Sequence, residues 1–151
     1  MMATEAKMIR KFECFRQLTE AQVEAIAEIS NSICYTKGHV LFNEGDKGDL
    51  LYLLIEGDIE VLYETPKGMD RVDTVSSEEV IGCSAMVPPY VYTATERALT
   101  DVEVLEIKIS ELRELIEKDP QMGIKIQEHI MKILNDRILE LRHRAFPQEI
   151  G

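Results

Sequence analysis

Three observations predict an α+β fold, in which an antiparallel sandwich or roll of short strands is bracketed by helices. Apolar residues recur at helical spacing up to Ile29. Between Ser32 and Ile107 the runs become short and strand-like, with turn residues between them, and after Ile107 helical spacing returns and lasts to Ala145. Many short strands joined by tight turns, with helices kept to the ends, belong to the antiparallel α+β architectures. The expected organisation is one domain over 1–151, with N-terminal helices in 1–30, the strand-rich body in 32–107 and C-terminal helices in 110–145.

Met8, Ile9, Phe12, Phe15 and Leu18 space a short helix with one buried stripe over residues 5–18. Thr19 and Gln22 form a T-x-x-Q capping box, with Leu18 and Val23 at the two staple positions, so a second helix is expected over Glu20–Ile29. Strands are expected at Ile33–Tyr35, Val40–Phe42, Leu50–Glu56, Ile59–Glu64, Arg71–Val75, Tyr90–Arg97 and Val102–Ile107. Glu56-Gly57-Asp58, Pro66-Lys67-Gly68 and Thr100-Asp101 mark turns between them. Ser110 reads as the N-cap of a helix over Glu111–Asp119, and Pro120 as the head of a last helix over Gln121–Ala145. That helix carries two stripes. Ile126, Ile130 and Ile133 suit docking on the strands. Gln127, Met131, Leu134, Ile138, Leu141 and Ala145 follow 4-3-4-3-4 spacing, a coiled-coil seam, so a homodimer through Met131, Leu134, Ile138 and Leu141 is expected.

Composition excludes several function classes. Lys+Arg 17 against Asp+Glu 28 gives a net charge of -11, which argues against nucleic acid and anionic membrane surfaces as partners. No apolar run approaches the ~18 residues of a membrane span, and Lys7, Arg10, Lys11 and Glu13 interrupt any secretory core. Cys14, Cys34 and Cys83 are odd in number and lack C-x-x-C spacing, so free thiols and a cytoplasmic setting are expected. No G-x-S-x-G, H-E-x-x-H or Walker sequence occurs, and the chain reads as a non-enzyme without metal or cofactor. Glu44, Asp46 and Asp49 lack the order of a calcium loop and read as turn-forming side chains.

The segment Lys37–Gly57, KGHVLFNEGDKGDLLYLLIEG, places Gly38, Gly45, Gly48 and Gly57 between short β-rich runs, where tight turns want φ > 0 capacity. This punctuation, together with TATERALTDVEVLEI downstream, resembles the cyclic-nucleotide-binding domain family over residues from about 10 to 141. The resemblance implies an eight-strand antiparallel β-roll of the jelly-roll type with a long C-terminal helix. It further implies a regulatory or sensor module, one without the helix-turn-helix domain that the family's transcription factors carry after this helix.

The family's phosphate site is a short loop and helix, roughly F-G-E-x-x-L-L, followed by R-[STA]-A. Its amides and Arg hold the cyclic phosphate, and its Glu accepts from the ribose 2′-hydroxyl. Anchored on Thr93-Ala94-Thr95, the resemblance puts Tyr92 where the phosphate Arg belongs and Cys83 where the ribose Glu belongs, with Gly82 retained. Between Lys67 and Lys108 the only basic residues are Arg71 and Arg97. Arg97 lies an odd five residues beyond Tyr92, on the opposite face of a regular strand. Losing both contacts costs on the order of 3–4 kcal/mol, so tight binding of cyclic AMP or cyclic GMP is not expected, and weak binding through the Gly82 loop amides stays open.

The candidate ligand pocket is Ile81, Gly82, Cys83, Ser84, Ala85, Met86, Tyr92, Thr93 and Ala94. Three readings stand. In the first, the module senses another, less polar ligand through its last helix. In the second, the same side chains fill the pocket and leave a dimerising or protein-interaction domain. The third is a haem or redox site on Cys83, with only the isolated His39, His129 and His143 as further ligands.

Overall fold

A computed structural model describes residues 4–147; the ends of the expected 1–151 domain, 1–3 and 148–151, lie outside the described residues. The stretch expected as one helix over 5–18 divides into α1 (Thr4–Ile9) and a 3-10 turn at Glu13–Phe15. Past Ile9 the amides of Lys11 and Phe12 fall back on the carbonyls of Met8 and Ile9, at 3.1 and 3.0 Å, which tightens the coil. The break still lets Ile9, Phe12, Phe15 and Leu18 all reach the core. α2 (Glu20–Glu28) begins at the expected box: Thr19 Oγ1 accepts from the Gln22 amide at 3.2 Å, and Gln22 Oε1 accepts from the Thr19 amide at 2.9 Å.

Eight strands follow: β1 (Ser30–Tyr35), β2 (Val40–Phe42), β3 (Leu50–Glu56), β4 (Ile59–Thr65), β5 (Gly68–Val75), β6 (Val80–Ile81), β7 (Thr95–Ala98) and β8 (Val102–Lys108). They form two antiparallel four-stranded sheets, in the orders β1-β8-β3-β6 and β2-β7-β4-β5. Leu51, Leu53 and Leu54 of β3, Ile59 of β4, and Val104, Leu105 and Ile107 of β8 are all fully buried; Leu54 and Val104 share one face of the β1-β8-β3-β6 sheet and Leu51, Leu53, Leu105 and Ile107 the other, so both faces of that sheet are covered. Each such side chain contributes about 1.5–3 kcal/mol.

Two strand expectations change. β6 is too short to leave a period-2 signal, and pairs Tyr52 with Ile81 and Leu53 with Val80. The run expected over Tyr90–Arg97 is a strand only from Thr95. Tyr90 sits at φ 62, and the Tyr92 amide donates to Asp46 O at 2.9 Å rather than to a sheet partner. Residues 90–92 therefore belong to the 43–49 loop: Gly45 and Gly48 donate to the carbonyls of Tyr92 and Tyr90, both at 2.8 Å.

Three of the four punctuating glycines, Gly38, Gly45 and Gly57, adopt positive φ. Gly48 does not; close approach is its requirement, because a Cβ there would lie 2.1 Å from Ala85 Cβ. Of the acidic side chains expected to form turns, Asp46 does so, while Glu44 reaches across to β4. Asp46 Oδ2 accepts from the Asn43 amide at 3.1 Å, and Glu44 Oε1 from the Glu64 amide at 3.2 Å.

α3 (Ile109–Lys118) starts one residue before the expected cap. Ser110 is not the N-cap, because the Ile109 amide already finds Asp49 O at 2.9 Å and the helix needs no side-chain acceptor there. α4 (Pro120–Ala145) has Pro120 in its first turn and is capped by Asp119, whose Oδ1 accepts from the Met122 amide at 3.2 Å. The other carboxylate oxygen of Asp119 accepts from Gln22 Nε2 at 2.8 Å and ties α4 to α2. Met122, Ile126 and Ile130 are buried against the core, with Ile133 and Leu134 partly so. At the far end Arg144 pairs with Asp73 at 3.4 Å and donates to the Val72 carbonyl, joining α4 to β5. Among the described residues no helix is long and apolar enough to cross a membrane.

Candidate ligand cavity

Between the β2-β7-β4-β5 sheet and α4 lies a cavity of about 340 Å³, within the ordinary range of small-molecule sites. Phe42, Val61, Tyr63 and Glu96 line it from the sheet. Val80, Gly82, Cys83 and Ser84 line it from β6 and the 3-10 turn at Cys83–Met86. Thr93 and Ala94 come from the approach to β7, and Ile133, Leu134, Arg137, Ile138 and Leu141 from α4.

Of the nine residues expected in the pocket, Gly82, Cys83, Ser84, Thr93 and Ala94 stand on its wall, while Ile81, Ala85, Met86 and Tyr92 stand off it. Ile81 is core in β6, Ala85 is packed under Gly48, and Met86 offers its carbonyl to Arg113 at 3.4 Å. Tyr92 is 4% exposed and stacks on Phe42, ring centroids 3.7 Å apart and planes 11° from parallel. Its hydroxyl donates to Leu50 O at 2.7 Å and accepts from the Leu50 amide at 3.2 Å. The ring also presses on the loop, since a Cβ on Gly82, at φ 90, would lie 3.2 Å from Tyr92 Cε1. Where the resemblance expects the family arginine, the structure thus has an aromatic ring with a satisfied hydroxyl.

Neither nearby arginine replaces it. Arg97 points to the other face of the sheet, where it and Arg71 clamp Glu60 at 2.9 and 3.1 Å. The hydrogen bond from Arg97, joined by that from Arg71, holds the Glu60 carboxyl below its ordinary range.

Glu96 and Arg137 were not among the expected site residues. Glu96 is 5% exposed, its Oε1 has no hydrogen-bond partner among the described residues, and burial pushes its pKa up to about 7. Arg137 of α4 works against that shift, while Glu79 and Asp73 add to it. A signal was available: Ala94, Glu96 and Ala98 alternate along T-A-T-E-R-A, which puts a carboxylate between two small apolar residues on the buried face. Arg137 had no comparable signal, because a charged residue beside a seam reads as solvated. Leu134, Ile138 and Leu141 of the expected seam border the cavity, whereas Met131 is 62% exposed and does not.

Burial pushes the Cys83 thiol up to about 12, as for a small packed side chain. No histidine lines the cavity. His39 stacks on Tyr35, and His129 Nδ1 sits 3.0 Å from Lys125 O. These donors do not fit a haem. Among the described residues no group of three or more metal-ligating side chains occurs.

Comparison with known proteins agrees with this fold. The chain is similar to the CRP-like cAMP-activated global transcriptional regulator of Mycobacterium tuberculosis, 23% identical over 125 residues, covering 82% of this chain and 54% of that protein. It thus spans about half the length of that curated relative. Among solved structures, a candidate cyclic nucleotide-binding protein from Geobacter metallireducens GS-15 is 31% identical with a TM-score of 0.79, over 91% of this chain and 99% of that one. A cyclic nucleotide-binding domain from Methylobacillus flagellatus KT is 22% identical with a TM-score of 0.83, over 97% and 83%, and speaks to the fold. The model of the cyclic nucleotide-binding domain matches residues 33–119, more than half of the sequence. By this match and by its fold, the chain belongs to the cyclic nucleotide-binding domain family.

Proposed function

We propose that this chain is a regulatory sensor module in which a small ligand enters the β-roll cavity and α4 reports its presence. Five of the fifteen residues around the cavity come from α4, so a ligand that fills the space touches the helix, and a ligand with different affinity for two helix positions shifts the population between them. On the resemblance, Tyr92 stands where the phosphate arginine belongs and Cys83 where the ribose glutamate belongs, and a cavity of about 340 Å³ remains open beside them. This combination favours a ligand other than a tightly held cyclic nucleotide.

Two measurements test the reading. Titration calorimetry with cyclic AMP and cyclic GMP is expected to give no dissociation constant below about 10 μM, against the low-micromolar or tighter binding of a complete site; a submicromolar value refutes the altered pocket. Amide hydrogen exchange with and without millimolar methyl benzoate, a neutral ring of cavity size, is expected to change at Ile133–Leu141 and not in α3. Unchanged α4 exchange with shifted cavity amides would disconnect the helix from the site.

The exposed face of α4 supports a homodimer as the output. Met131 and Ile138 are 62% and 63% exposed, and Leu139 and Leu141 add to the same stretch of helix. Sedimentation is expected to show a dimer at tens of micromolar, converted to a monomer by Met131→Glu with Ile138→Glu, with the circular dichroism of the roll retained. A wild-type monomer at that concentration removes the dimer from the proposal.

A further inference from the structure

A buried carboxylate oxygen without a partner, on a residue in the wall of a cavity, needs a reason. Glu96 Oε1 is buried and unpartnered, and the residue lines the cavity from β7 between Ala94 and Ala98, where a third small apolar side chain would satisfy packing. The opposite wall presents Arg137 from α4, which among the described residues pairs with no carboxylate. Phe42, Val61, Leu134 and Ile138 supply apolar surface between these two polar groups.

We propose, on the basis of the sensor reading above, that Glu96 and Arg137 are the recognition pair of this cavity. Its ligand is a small amphoteric molecule, an apolar ring or chain bearing an N–H or ammonium donor for Glu96 and an anionic group for Arg137. The charge pattern explains why both residues are present. A purely apolar ligand leaves Glu96 orphaned, a purely anionic one places its charge in the same small space as the carboxylate, and a donor answers it. Size agrees: an apolar cavity of about 150 Å³ takes benzene, so about 340 Å³ holds a substituted ring. Arg137 is on α4 and Glu96 on the roll, so a ligand touching both spans the junction between the two.

The experiment uses the full chain, ¹⁵N-labelled, and four probes: 4-(aminomethyl)benzoate, benzylamine, benzoate and methyl benzoate. Shifts of the Cys83, Ser84 and Ala94 amides are followed to several millimolar. 4-(Aminomethyl)benzoate is expected to bind tightest and benzylamine better than methyl benzoate. Glu96→Gln should weaken both amines about tenfold, the scale of one charge-assisted hydrogen bond, and leave methyl benzoate unchanged. Arg137→Gln should weaken benzoate and 4-(aminomethyl)benzoate and spare benzylamine. A second readout needs no variant: the side-chain carboxyl carbon of Glu96 in the wild type should shift with benzylamine and not with methyl benzoate. Amines that bind no better than methyl benzoate, or amine binding indifferent to Glu96→Gln, overturn the recognition pair while the sensor reading stands. Absence of binding by all four probes, methyl benzoate included, overturns both.

Discussion

Glu96→Gln is expected to stabilise the protein by about 2–3 kcal/mol at pH 8 and to flatten its stability against pH. Burial raises the folded pKa of Glu96 from 4.5 to about 7. Between those values the folded chain holds a proton that the unfolded chain has released, so stability falls as pH rises through this window. The loss is complete above the folded value, where a carboxylate sits in a desolvated cavity with only Arg137 to offset it and Glu79 and Asp73 to worsen it. Glutamine keeps the shape and never ionises. Urea unfolding at pH 5 and pH 8 measures the effect: the two proteins should be close at pH 5 and diverge at pH 8 in favour of the variant. A variant less stable than wild type at pH 8 would mean that the carboxylate is already paired.

Tyr92→Ala is expected to cost about 3–5 kcal/mol, the scale of an aromatic removed from a packed core. It would delete the stack on Phe42, both hydrogen bonds to Leu50 and the contact with the Gly82 loop. Tyr92→Phe separates these parts. It keeps the stack and leaves the Leu50 amide and carbonyl without the hydroxyl, for about 1–2 kcal/mol. Chemical denaturation of the three proteins gives both numbers, and a Tyr92→Ala cost under about 1 kcal/mol would mean that the ring occupies open space and is not part of the packed core.

The strand punctuation made the roll legible. Glycines and turns separated apolar runs at the right intervals, and the capping box placed α2 because a box is a local hydrogen-bond pattern. Features set by tertiary contact were not legible. Ile109, and not Ser110, opens α3 because Asp49 O, sixty residues away in sequence, takes its amide. Tyr90 to Tyr92 leave the sheet because the Asn43–Asp49 loop claims their backbone groups. The site divided in the same way. The Gly82 loop and Thr93-Ala94 followed from motif spacing, whereas the α4 wall came into view only when the helix packed across the cavity. Leu134, Ile138 and Leu141 have the spacing of a seam, and spacing says nothing about which surface they meet. Glu96 lay in plain alternation between two alanines and passed as one more acidic residue in a chain with 28 of them.

The fastening of α4 decides what kind of motion it can transmit. Its first turn is clasped through Asp119 and Gln22, and its last turn through Arg144 to Asp73 and Val72. A beam fixed at both supports does not swing like a gate. Under the ligand load proposed above, between them at Ile133 to Leu141, the expected response is a bow or a roll about its own axis, greatest mid-span and reversed when the load leaves. The two supports are unequal. The Arg144 clasp joins a partly exposed ion pair, which salt screens, to its hydrogen bond with Val72, while the Asp119 clasp is built from hydrogen bonds alone. Raising ionic strength should therefore free the distal support first and turn the beam into a cantilever, with a larger excursion at Arg142 to Ala145 for the same load.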